Sequence, residues 1–268
     1  MAGVSRSGLH SWRSKPPKVK CPDECMIERL FVNSKEKLGY RQLKMRFERK
    51  TGCLINLKKV RRIKRDLKLV TKIRRRSKFK AIFKEGEQSS VAPNLVRRNF
   101  TSSKEAVIWS TDMTELHFAY GQKAYLSVFK ELGSNRIMSH RVGSRPTIDL
   151  AIGDLVKELD VMGWQRRKVL TVHSDQGFQY TSWQFRKMLE SWGVKQSMSR
   201  KGNCLDNAPV ESFFGHLKDE VDVGGCRSLD EVRLNIKKYV RYYNEERPQW
   251  GLEKRTPAEA GVLKGLVY

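Results

Sequence analysis

Residues 168–175, KVLTVHSD, narrow the fold more than any other stretch of the chain. Val169, Leu170 and Val172 leave little polar face before His173, and so short an apolar run reads as a strand buried on both sides of a parallel sheet. Helical patterns flank it. Upstream, TIDLAIGDLVKELDVMG spaces Ile148, Ile152, Leu155, Leu159 and Met162 as one helix that stops at Gly163. Downstream, TSWQFRKMLESWG turns Phe185, Met188, Leu189 and Trp192 inward, and KQSMSR supplies a further strand. Ahead of these, EAVIWSTDMTEL alternates, with Val107, Trp109, Thr111 and Met113 on one side and Ile108, Ser110, Asp112 and Thr114 on the other. Two more strands, 124–132 and 136–143, are separated by a tight Gly-Ser-Asn turn and should pair antiparallel. The order of three strands, helix, strand, helix, strand, helix predicts an α/β fold: a mixed five-stranded sheet with helices on both faces. Reactive groups in such sheets gather outside the carboxyl ends of the strands, where Asp175 falls.

The first hundred residues are of another kind. They carry 29 Lys and Arg against 8 Asp and Glu, whereas the whole chain has a net charge of +25. A basic N-terminal module with a polyanionic partner follows, nucleic acid first and a membrane surface second. Met26, Ile27, Leu30 and Phe31 form one helical face; Leu43 and Phe47 form another before Gly52; Asn56 caps a third carrying Val60, Ile63 and Leu67. On that third helix Lys58, Lys59, Arg61, Arg62, Lys64 and Arg65 cover the remaining surface. Three short helices with a cationic last one suit a helix-turn-helix-like module spanning residues 1–70, followed by a basic linker, 71–104, that loses helical periodicity and contains Gly, Pro and Ser.

Five cysteines, an odd number with no secretory signal, read as free thiols; Cys21 and Cys25 offer one zinc half-site with no second pair to complete it. No apolar stretch reaches the roughly 18 residues of a membrane span, so a cytoplasmic protein is expected.

Asp112 within an apolar strand, Asp175 at a strand end and Glu211 on the edge of the Val210, Phe213, Phe214, Leu217 and Val221 stripe raise the question of whether they meet. Glu211 falls about 100° from Val210 around the helix. Three convergent carboxylates would repel one another unless a divalent cation neutralised them, and Mg2+ is the natural guest for hard oxygen ligands. Two such ions about 4 Å apart suit in-line displacement at phosphorus. Lys218, nearly two turns after Glu211, lies on the same helix edge and is read as a phosphate ligand. His173 is a candidate neighbour of the metal. Asp206 and Asn207 read as the turn that launches the Glu211 helix, with Asn207 as its cap, and Glu231 as the partner of Ser228 in a capping box at the next helix. Arg241 and Arg247 on that last helix are candidates to face DNA.

WSTDMTEL, HSDQGFQYTS, SMSRKGNCLDNAPVESFFGHLK and YVRYYNEERPQWGLEKRTPAE resemble the second-open-reading-frame (OrfB) transposases of the IS-three group of bacterial insertion sequences, relatives of retroviral integrases. The resemblance runs from about 105 to 260, with weaker similarity in LGYRQLKMRF and NLKKVRRIKRDLKL. It implies a ribonuclease-H-like core at 105–222, a C-terminal helical extension at 223–268, and Asp112, Asp175 and Glu211 as the catalytic, metal-binding triad, with 35 residues between the last two. It further implies Mg2+ or Mn2+ dependence, DNA cleavage and strand transfer without a covalent protein intermediate, a homo-oligomer on DNA, and an upstream-frame partner. The chain departs from the family at Gln249, commonly His, and at Glu131, commonly Asp. A silent DNA-binding regulator and a ribonuclease-H-like nuclease are the alternatives.

Overall fold

In the N-terminal unit of the computed structural model, helix formation follows the caps and breakers read from the sequence. The structure describes residues 5–13, 20–72, 91–153, 155–200 and 204–266. Its helices there are α1 (Arg6–Arg13), α2 (Pro22–Asn33), α3 (Tyr40–Thr51) and α4 (Leu57–Asp66). The Asn56 side chain accepts the Lys58 N–H at 2.8 Å to start α4. Gly52 ends α3 at φ +72°, a left-handed conformation that favours glycine. Ile27, Phe31, Leu43, Phe47, Val60 and Ile63 pack as its core, with Met26 and Leu30 half-buried at the rim.

The second unit starts beyond Lys72. It contains β1 (Val107–Phe118), β2 (Gln122–Glu131), β3 (Ile137–Gly143), α5 (Ile148–Ile152), α6 (Leu155–Val161), α7 (Trp164–Lys168), β4 (Leu170–Ser174), α8 (Phe178–Thr181), α9 (Trp183–Ser191), β5 (Lys195–Met198), α10 (Ala208–Glu220), α11 (Leu229–Glu245) and α12 (Pro257–Leu263). The sheet order is β3-β2-β1-β4-β5, with β1, β2 and β3 antiparallel and β1, β4 and β5 parallel. This is the five-stranded mixed sheet expected. Even-numbered β1 residues Leu116 and Phe118 join Val210, Phe213, Leu217, Val232, Ile236 and Tyr243 of α10 and α11 on one face. Odd-numbered Val107 and Trp109 join Leu155, Leu159, Tyr180, Phe185 and Leu189 on the other. Phe213 meets Tyr243 edge-on at 4.8 Å, and burying such a ring stabilises the fold by about 1.5–3 kcal/mol.

Three expectations change. The single helix expected over 147–163 is broken at Gly153, where the Arg141 guanidinium occupies the space a Cβ would need and donates to the Asp149 carbonyl at 3.2 Å. The linker expected over 71–104 is taken up at both ends. Lys72 N–H bonds the Glu36 carbonyl at 2.9 Å in the first unit. Residues 91–104 lie on the second unit, with Val96 buried and Leu95 N–H donating to Ser197 Oγ at 3.0 Å; residues 73–90 lie outside the described residues. At α11, Ser228 Oγ accepts the Glu231 N–H at 3.2 Å, but the Glu231 carboxylate takes the N–H of Arg227 at 2.8 Å rather than closing a box on Ser228.

Both outer strands are covered. The Asn244 amide bonds both backbone groups of Ile137 on β3, each at 2.9 Å. On β5, Met198 N–H reaches the Pro93 carbonyl at 3.4 Å.

Candidate active site

Sheet register places the two aspartates. Ser110 on β1 pairs with His173 on β4 at the end of their parallel ladder, which brings the stretches carrying Asp112 and Asp175 to the same end of the sheet. Asp112 shares the α10 face of β1 with Ser110, and both aspartates are half-buried. Each has one oxygen held by backbone: Asp112 Oδ1 accepts Met113 N–H at 2.7 Å, and Asp175 Oδ1 accepts Gly177 N–H at 2.9 Å. Their second oxygens carry no hydrogen bond from a described residue.

Burial, then the charge of Asp175, pushes the Asp112 carboxyl up to about 8, with Glu211 adding to the rise and Lys218 opposing it. Asp175 is raised by burial. The pull of Asp175 on Asp112 exceeds that of Glu211, which stands exposed on the first turn of α10. Among the described residues, no three His, Cys, Asp or Glu side chains stand close enough to hold one ion in common. Asp175, Glu211 and Lys218 all act electrostatically on Asp112, Asp175 the most strongly of the three. Paired hard oxygens with open positions and raised pKa values fit a divalent cation completed by water, because a dication relieves the repulsion that raises them.

His173 does not join this group. It is 1% exposed, and both ring nitrogens are used. Ser197 Oγ, which accepts Leu95 N–H, gives its own proton to His173 Nδ1 at 2.9 Å; Nε2–H then donates to the Asp206 carbonyl at 3.0 Å. Burial lowers its pKa, so the ring is neutral and structural.

Lys218 is half-buried and, with Glu115, Leu116, His117, Leu217, Val221 and Val223, lines a shallow groove between β1 and the end of α10. The two family departures both bond the β2–β3 turn, Glu131 from the end of β2 and Gln249 from the loop that follows α11. Glu131 accepts the backbone N–H groups of Gly133 and Ser134, each at 2.6 Å, and Gln249 Oε1 accepts from Asn135 at 3.0 Å.

Comparisons with known proteins agree with this layout. Two integrase core domain families match residues 102–204 and 182–257, and an HTH-like domain family matches 23–77. InsK of insertion sequence element IS150 in Escherichia coli (strain K12) is 35% identical over 237 residues, 87% of this chain and 80% of that relative. Transposase InsF for insertion sequence IS3A, also of Escherichia coli (strain K12), is 31% identical, covering 92% of this chain and 87% of the relative. The chain belongs to the IS-three group of insertion-sequence transposases. Among solved structures, the HTLV-2 integrase catalytic core domain in complex with magnesium is 19% identical with a TM-score of 0.44, covering 60% of this chain and 98% of that one. The simian T-cell lymphotropic virus intasome aligns with a TM-score of 0.47 at 14% identity, covering 87% and 73%.

The transposase uses much of its α4 charge internally. Lys59 pairs with Asp23 of α2, Arg61 bonds Tyr40 Oη at 2.7 Å and lies 4.2 Å over its ring, and Lys64 bonds Thr71 Oγ1 at 2.5 Å. Arg65 sits 3.5 Å from Asp66. The side chains of Lys58 and Arg62, one turn apart and exposed, have no hydrogen bond or ion pair to a described residue. Arg247, expected on the last long helix as a DNA contact, lies just past the end of α11 and is buried, its guanidinium pairing with Glu220 at 2.7 Å. Arg241 is exposed and pairs with Glu245 at 3.0 Å. Cys21, Cys25 and Cys53 are exposed free thiols and Cys226 is a buried one. Glu24 takes the backbone N–H of Cys21 at 3.0 Å, so this stretch of the transposase opens α2. None of its described helices is long and apolar enough to cross a membrane.

Sequence reasoning missed the burial of four polar groups. Asp206 and Asn207 are 1% and 2% exposed, Lys130 is 4% exposed and Tyr180 is fully buried. The Tyr180 hydroxyl lies 3.3 Å from Thr111 Oγ1, and burial followed by the charge of Asp112 raises its pKa. For Lys130 the signal was present: a lysine inside AYLSVFKEL breaks an apolar strand.

Proposed function

We propose that this transposase cuts DNA at the ends of its element and joins the freed 3'-hydroxyls to a target strand by divalent-metal-dependent phosphoryl transfer. Asp112 and Asp175 hold the cations, Glu211 completes the site, and Mg2+ or Mn2+ serves. The observation that carries this reading is the placement of Asp112 and Asp175 at the same end of neighbouring parallel strands, with Asp112 pushed up to about 8 by burial and by the charge of Asp175. Two carboxylates brought together at that cost are a site for a dication.

The chain's own residues set the rest. Backbone N–H groups of Met113 and Gly177 fix one oxygen of each aspartate, so each presents its other oxygen outward. Lys218 holds a phosphate beside the groove, and Lys58 and Arg62 lead the contact of α4 with the DNA backbone. Bound by Asp112 and Asp175, divalent ions would supply activation of the attacking oxygen and stabilisation of the leaving one. In the first step water attacks phosphorus and displaces the 3'-oxygen, breaking one phosphodiester to leave a 3'-hydroxyl and a 5'-phosphate; in the second that 3'-hydroxyl attacks a target phosphorus and displaces the target's 3'-oxygen, one phosphodiester forming as one breaks. Tyr180 stays out of the chemistry because its hydroxyl is buried. A homo-oligomer on DNA brings two ends to one target, and an upstream-frame product is an additional partner.

Incubating a pre-cut element end with supercoiled plasmid and Mg2+ tests the assignment. Joined product is expected. Nicked plasmid without joining would mean a plain nuclease, and retention of DNA without any new product a regulator.

A further inference from the structure

Glu211 is only as well placed as the first turn of α10, and that turn is built unusually. Asn207 holds the N-cap position at φ −120° and ψ 17°, yet its side chain caps nothing. An asparagine there ordinarily accepts a backbone N–H of the first turn. Here both amide atoms are directed to β1. Nδ2 donates to the Thr111 carbonyl at 3.2 Å, and Oδ1 accepts the Ser110 hydroxyl. Thr111 immediately precedes Asp112, and Asn207 lies one helical turn before Glu211.

The same turn is held from other strands. His173 of β4, two residues before Asp175, donates to the Asp206 carbonyl at 3.0 Å. Lys130 of β2, beside Ser110 in the sheet, donates to the Pro209 carbonyl at 2.9 Å. The Asp206 carboxylate gathers Arg200 at 3.0 Å, Arg98 at 2.7 Å and Asn94 at 3.2 Å. Val210, Phe213, Phe214 and Leu217 would keep α10 on the sheet without these bonds, but apolar contact is non-directional and does not fix how far along or around its axis a helix sits. Directed hydrogen bonds do.

We propose that Asn207 is a positioning residue: its amide, bonded to Ser110 and Thr111, sets the distance between Glu211 and Asp112 and thereby completes the metal site. This rests on the reading of Glu211 as a metal ligand. The other bonds locate the turn, whereas the Asn207 amide ties it to the strand segment that bears Asp112.

Mn2+ affinity of the full chain, measured by calorimetry without DNA, tests it. Asn207→Asp keeps the shape and the acceptor for Ser110 but sets an oxygen against the Thr111 carbonyl. It is expected to weaken Mn2+ binding about tenfold, as a small misplacement of a liganding group does. Glu211→Gln also weakens binding, and the double variant binds no more weakly than Glu211→Gln alone, because two changes acting through one group do not add. Full additivity, or an Asn207→Asp chain that binds like the parent, overturns the proposal while leaving Glu211 as a ligand. An unchanged affinity in Glu211→Gln overturns the ligand reading and this proposal with it. If Asn207→Asp does not fold, Ser110→Ala removes only the hydroxyl on Oδ1. A loss of about threefold that disappears in the Glu211→Gln background then supports the positioning role, and an unchanged affinity or a loss that persists in that background overturns it.

Discussion

The charge of Asp175, just past the end of β4, raises the pKa of Asp112 on the neighbouring parallel strand β1, and Lys218 on α10 offsets only part of that rise. The consequence for pH is definite in sign. A folded-state pKa raised to about 8 means that the native chain binds more protons than the unfolded chain between about pH 4 and 8, so stability falls as pH rises through that window. In EDTA the melting temperature should drop from pH 5 to pH 8.5, and Mg2+ should restore it. Asp112→Asn removes the buried charge and should melt above the parent at pH 8.5 without metal, by roughly 2–8 °C if the change is worth about 1–2 kcal/mol.

Asp175→Asn separates chemistry from grip. Joining should fall on the order of 10³-fold or more, while DNA retention in a shift assay stays within about twofold of the parent. A matching loss of retention would make the acidic pair structural.

The visibility of these features in the sequence differed by kind. The alternation of EAVIWSTDMTEL and the apolar run of KVLTVHSD carried the strands and, through the strand-end rule, Asp175. The Asn56 cap and the Gly52 stop carried the helices of the first unit. What a linear reading lacked was the destination of each polar side chain. Asn207 sits where a cap belongs and bonds a strand 96 residues away. His173 neighbours an acid in sequence and points to a serine and a carbonyl. Gly153 breaks a helix because of Arg141, twelve residues upstream. Long-range partners of this sort have no local periodicity to announce them.

On α4, Lys58 and Arg62 are the cations whose side chains have no internal partner among the described residues, whereas Lys59 and Arg61 hold α2 and the start of α3. Alanine at Lys58 or Arg62 should each lower the slope of log affinity against log salt by about 1 between 50 and 200 mM. Alanine at Arg61 should reduce the slope less and lower the melting temperature more.

Arg247 and Glu220 form a buried pair at 2.7 Å, their side chains 6% and 16% exposed. Arg247→Ala removes the buried cation from Glu220, whose carboxylate also accepts the Tyr239 hydroxyl at 3.3 Å, and should cost about 3–5 kcal/mol in urea unfolding. Joint replacement by Met and Leu should recover most of that loss, because a well-packed apolar pair does not need to be neutralised.

The sealing of β3 by Asn244 and of β5 by the segment around Pro93 bears on how copies assemble. A side-chain amide already satisfies both free backbone groups of Ile137, so no neighbouring protomer can extend the sheet there by strand addition. A second copy adding a strand would therefore meet an occupied position at Ile137 on one edge and at Met198 on the other.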